Sequence, residues 1–77
     1  MIDGSFGHGM VSRRVVLRAR DVVFFKGIVE ATEGLAAVYA TRGGELSVVA
    51  HESRASELDA FLASLVEEIP FLEGPTE

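Results

Sequence analysis

His8 and His51 are the histidines of this chain, and each invites a metal or acid–base reading. A metal site needs three or four converging donors. His51 has Glu52 beside it, but consecutive strand residues point to opposite faces, so the pair is poorly arranged to share one ion. His8 lies in "GSFGHG", residues 4–9, which superficially resembles a phosphate-cradling loop. It lacks the Lys-Ser/Thr of a P-loop, does not fit G-x-G-x-x-G, and precedes a strand where a phosphate loop precedes a helix N-terminus. Ser5, Ser12, Ser47, Ser53, Ser56 and Ser64 include no nucleophile elbow. Glu67 and Glu68 read as the solvated side of a helix, so the residues call for no catalytic site, metal or cofactor.

One constellation survives. Arg14, Val16, Arg18, Arg20, Tyr39, Val49 and His51 all fall on one sheet face if residues 14–20 and the two runs around "RGG" are strands. Arginines can pair with phosphates and a tyrosine can stack on a base, which makes an anion, small-metabolite or RNA platform conceivable. A lone aromatic is a poor stacking platform, however, and an acidic total disfavours a nucleic-acid backbone. The alternative is a sheet face covered by a second copy, with its arginines paired to acids such as Glu45 at the rim.

The elements that position these residues follow from period. In "RVVLRAR", Val15, Leu17 and Ala19 alternate with Arg14, Val16, Arg18 and Arg20, the signature of a half-buried strand. Asp21 is placed to cap a helix over 22–33 that gathers Val22, Phe25, Ile28 and Val29 on one side, with Gly34 closing it. "LAAVYATRGGELSVVAH" predicts a hairpin whose Ala36, Val38, Ala40, Leu46, Val48 and Ala50 share a face. Ser53 is expected to cap a last helix with the stripe Ala55, Leu58, Phe61, Leu62, Leu65, Val66 and Ile69, ending at Pro70.

The expected fold is therefore α+β, a two-layer sandwich of order β-α-β-β-α. It is a truncated ferredoxin-like arrangement with an antiparallel three-stranded sheet and the third strand in the middle. Residues 1–12 are expected to form a flexible leader, with Met10 a candidate natural start, residues 13–72 the domain, and residues 73–77 a flexible tail. The truncation leaves the first strand with a bare edge, which must be covered or recruit another chain; Phe71 to Glu73 could fill part of it.

Composition bounds the function classes. A 77-residue chain buries only about 60% of its unfolded surface, so association with a second copy would add to a thin margin. The absence of cysteine excludes disulfides, thiolate zinc sites and a cysteine nucleophile, and suits a cytoplasmic protein. No apolar run reaches the roughly 20 residues of a membrane span. Net charge is −5, yet Arg13, Arg14, Arg18, Arg20 and Lys26 cluster early while eight acids follow Gly44.

Through "IVEATEGLAAVYAT", residues 28–41, and "GELSVVAHESRASELDAFLASL", the chain resembles a family of short bacterial proteins called domain of unknown function 4911. The likeness spans most of residues 14–69 and centres on a helix ending in the turn Glu33, Gly34, Leu35 and Ala36, then a hairpin and an acidic amphipathic helix. It implies a compact bacterial α+β protein and carries over no catalytic residue. The architecture is also similar to ACT-type and other ferredoxin-like regulatory modules, an analogy of fold alone. The leading expectation is a non-enzymatic homodimer with a regulatory or scaffolding role, joined through the first strand's edge or through Arg14, Val16, Arg18, Tyr39 and Val49. The alternative is an anion or small-metabolite site built on Arg18, Arg20, Tyr39 and His51.

Overall fold

The first strand begins earlier in the chain than residue 14. The computed structural model describes residues 9–77, and in it β1 runs Met10–Val16. Residues 10–12, expected in the leader, are paired strand; residues 1–8, with His8 and most of the glycine-rich loop, lie outside the described residues. Leu17 continues the inward alternation and is buried, but the chain then turns: Ala19–Asp21 form a 3₁₀ turn. The strand expected over residues 14–20 thus stops at Val16. Leu17 N–H donates to Gly44 O at 2.9 Å, so that its backbone is fastened to the hairpin turn.

Helix α1, Val22–Ala31, presents Phe25 and Val29 to the core. Asp21 precedes it without a side-chain capping bond; its carboxylate accepts instead from Arg18 Nε at 3.1 Å. The helix ends two residues before Glu33, where the Thr32 hydroxyl donates to Ile28 O and Gly34 takes φ +70°, the closure expected of a glycine there. Strands β2, Ala37–Arg42, and β3, Glu45–His51, form the hairpin around Gly43 and Gly44. Helix α2, Ala55–Leu65, follows a 3₁₀ turn over Glu52–Arg54 and stops short of the expected end at Pro70: residues 66–68 are turn, so Val66 of the expected stripe is exposed while Ile69 is still buried. Ser53 does not cap α2. The acceptor at this corner is His51, whose Nδ1 receives the Ser53 N–H at 3.1 Å.

A fourth strand, β4, spans Glu73–Thr76. The sheet is therefore four-stranded, in order β2-β3-β1-β4, rather than three-stranded, and residues 73–76 are strand where a tail was expected. All pairings are antiparallel, and β3 lies between β1 and β2 as the hairpin reading requires. β4 pairs with β1 through Arg14 opposite Thr76 and Val16 opposite Glu73, with an irregularity between, and Leu72 N–H donates to Val16 O at 2.7 Å. The edge of β1 that the truncated plan leaves bare is occupied by the chain's own residues.

Both helices cover one sheet face. Val15, Leu17, Val38, Leu46, Val48 and Ala50 from the sheet side pack with Phe25, Val29, Leu58, Leu62, Leu65 and Ile69. Ala36 is only partly buried against this layer, and Ala40, expected inside, is exposed near the hairpin end. Phe71 meets Phe25 edge-on, ring centres 5.8 Å apart, which holds the segment leading into β4 against the core.

The hairpin turn gives a sharp test of this packing. A Cβ on Gly44 would collide with the Leu17 carbonyl, whereas one on Gly43 meets nothing within 4 Å and suffers only from its φ of +50°. Gly43→Ala should cost about 1 kcal/mol, the penalty of a left-handed non-glycine residue. Gly44→Ala should lower the denaturation midpoint distinctly more, because backbone must move. Equal midpoints for the two variants in urea melts contradict the close approach of Leu17.

Candidate interaction face of the sheet

Strand register decides which side chains share the helix-free face. Residues directly opposite one another in paired strands lie on the same side. One row joins Tyr39, Ser47, Arg14 and Thr76; the next joins Arg42, Glu45, Val16 and Glu73; toward the other end lie Ala37, Val49 and Ser12, then His51 and Met10. Of the seven expected residues, Arg14, Val16, Tyr39, Val49 and His51 are brought together. Arg18 and Arg20 are not, because the strand ends before them; Arg18 pairs with Asp21, and Arg20 stands exposed in the 3₁₀ turn.

Arg14 is the centre of this face. Its Nε donates to Glu45 at 2.6 Å and its Nη1 to Glu73 at 3.0 Å, so one guanidinium joins β3, β1 and β4 across the sheet. The pairing with Glu45 at the rim follows the sequence expectation, while Glu73 is added by the fourth strand. Hydrogen bonds to Glu45 and then Glu73 raise the Arg14 pKa, and the bond from Arg14 holds the Glu45 carboxyl below its usual range. Arg13, one residue away and on the other side, reaches Asp59 of α2 at 2.9 Å, and that bond likewise holds Asp59 below its ordinary value.

The apolar members differ in what they offer. Val49 is only 4% exposed although it points away from the helices, whereas Tyr39 is 51% exposed and Met10 38%. Around Val49 lies an open groove of about 360 Å³ lined by Met10, Gly34, Leu35, Ala36, Ala37, Val49, Ala50 and His51. Its walls are mainly apolar. The His51 ring is held at the groove's rim by Ser53, whose Oγ lies 2.8 Å from Nδ1. A second corner contact was illegible in the sequence: Arg54 Nη1 donates to Gly34 O at 2.6 Å, joining the close of α1 to the start of α2. Nothing in residue type alone pairs positions 20 apart.

Among the described residues no group of three or more His, Cys, Asp or Glu side chains is arranged to hold a metal ion, and no helix is long and apolar enough to cross a membrane.

The ion pairs set a pH dependence. Because folding depresses the carboxyl pKa of Glu45, Glu57 and Asp59 through bonds from Arg14, Arg54 and Arg13, the unfolded chain takes up protons first on acidification. Their stabilisation is fully present above the ordinary glutamate value of 4.5 and is lost as pH falls through the lowered native values. The groups are solvent-exposed, so the effect is modest. Melting temperature followed from neutral pH downward should fall more steeply below this value for the native chain than for Arg14→Gln; parallel curves contradict the pairing.

No curated protein and no solved structure matches the chain at the level of significance applied. A family model does match, over residues 16–69, and those residues hold the end of β1, both helices and the hairpin. The chain belongs to the family described as Domain of unknown function (DUF4911).

Proposed function

We propose that this chain is a non-enzymatic module that forms homodimers and has a regulatory or scaffolding role. The observation that carries the reading is the division of labour on the helix-free face: its central cation is committed to two carboxylates, while Tyr39 on β2 and Met10 toward the other end of β1 stand exposed on the same side. A surface of this kind has no free charge at its centre to attract an anion, but it has apolar area to gain from a partner. The β-α-β-β-α-β succession and the order β2-β3-β1-β4 also support kinship of architecture with ferredoxin-like, ACT-type regulatory modules.

The anion or RNA reading loses its main support, since it relied on Arg18 and Arg20 joining Tyr39 and His51 on one face. The first-strand edge is likewise withdrawn as a dimer contact, because β4 occupies it. Self-association then falls to the face itself and to the outer edges of the sheet, β2 and β4.

Sedimentation velocity over rising protein concentration should show a monomer passing into a dimer. A species that stays monomeric at high micromolar concentration overturns the proposal. Melting temperature should be insensitive to inorganic phosphate and nucleotides; a rise that saturates with either favours the anion-binding alternative.

A further inference from the structure

The helix layer has an outer side that neither the core nor the helix-free face uses. Between α1 and α2 a groove of about 240 Å³ opens, lined by Ile28 of α1 and by Phe61, Ser64, Leu65 and Glu68 of α2 and the turn after it. Ile28 and Phe61 are only partly buried against the core, so each leaves apolar surface in the groove. Helical spacing extends the α1 wall: Phe24 stands one turn before Ile28 and is 59% exposed, and Ala31, three residues after Ile28, is exposed as well.

Neither wall carries a cation. Lys26 is two positions from Ile28, about 200° around the helix, and lies 3.8 Å from Glu30. The α2 wall has acids at both ends. Glu57, one turn before Phe61, is taken up by Arg54, whereas Glu68 and its neighbour Glu67 are exposed and have no ion pair among the described residues. This combination selects the occupant. An anionic membrane surface, a nucleic-acid backbone and the acidic helix side of a second copy are all repelled. A metabolite fits poorly by size, because the groove falls below the roughly 300–1,000 Å³ of small-molecule pockets and holds one or two side chains. A seam between two helices is instead a shape into which a third, amphipathic helix lays its apolar stripe.

We propose that the α1–α2 seam binds a basic amphipathic helix of another protein, with an apolar side chain seated between Ile28 and Phe61 and a Lys or Arg one turn away paired with Glu68. The seam is on the opposite side of the sheet from the face assigned to self-association. It therefore stands independently of the homodimer reading and adds a second class of partner.

Fluorescence anisotropy of a labelled synthetic peptide, with leucine at i, i+3, i+4 and i+7 and lysine elsewhere, titrated with the full chain, tests it. The lysine peptide should bind, and its counterpart with glutamate for lysine should not. Glu68→Lys, and Ser64→Arg, which sets bulk and a cation in the groove, should each raise the dissociation constant by about tenfold or more. Glu52→Lys changes net charge as Glu68→Lys does, but in the 3₁₀ turn before α2, and should shift the constant less than about threefold. All three sites are exposed, and circular dichroism melts check that each variant is folded. The proposal is overturned if neither peptide binds, if both bind alike, or if Glu52→Lys weakens binding as much as Glu68→Lys, since total charge then attracts the peptide and the groove does not. It is overturned too if Ser64→Arg abolishes self-association in sedimentation velocity, which makes a second copy the occupant, or if the chain cosediments with phosphatidylglycerol vesicles and Phe24→Ser releases it.

Discussion

One apolar layer, closed between a sheet and two helices, has to supply nearly all the burial this short chain can achieve. Val15, Leu46 and Val48 of the sheet meet Phe25, Val29, Leu58 and Leu62 of the helices, all of them wholly enclosed. Since strand side chains alternate, filling that layer sends the intervening residues to the other side. Arg14, Glu45, Ser47 and Tyr39 are on the helix-free face for this reason alone. The helix-free face is thus a by-product of the core's register, and a shift of β1 by one residue would exchange the two.

The same register explains how the sheet acquires its fourth strand. "EGPT" has no apolar residue to bury and all four positions are exposed, so β4 cannot be held by the core. It is held from both ends of its approach: Phe71 packs on Phe25, Leu72 bonds to the Val16 carbonyl, and Glu73 meets Arg14. Arg14 therefore serves the fold and the face together. By taking up two carboxylates it fixes an edge strand, and in doing so ceases to be a free cation. That strand closes one side of the sheet and leaves β2 as the edge with open backbone.

What could be read from residue types follows the same division. The hairpin, the α2 stripe and the closure of α1 at Gly34 were legible because period and glycine placement speak locally. So was the pairing of β1 beside β3, since only one arrangement buries Val15 with Leu46. β4 was not legible, for a strand without a buried face has no period to show. The extent of β1 was not legible at either end: Arg13 takes a helix-side position and breaks the apolar alternation that would carry the strand back to Met10, and "RAR" continues the alternation on paper while the chain turns at Arg18. That turn removed Arg18 and Arg20 from the proposed face. His51 was legible as a strand end but not as the acceptor for Ser53, because Ser53 has the residue type of a helix cap and its partner two residues back does not.

Amide hydrogen exchange in the native chain and in Arg14→Gln reads the central claim most directly, since Arg14 is where the core's register and the fourth strand meet. The amides of Leu72 and of β4 should exchange faster in the variant, while those paired between β1 and β3 keep their protection. Equal exchange of these amides in the two chains, or a loss of protection that extends to β3, would contradict the account.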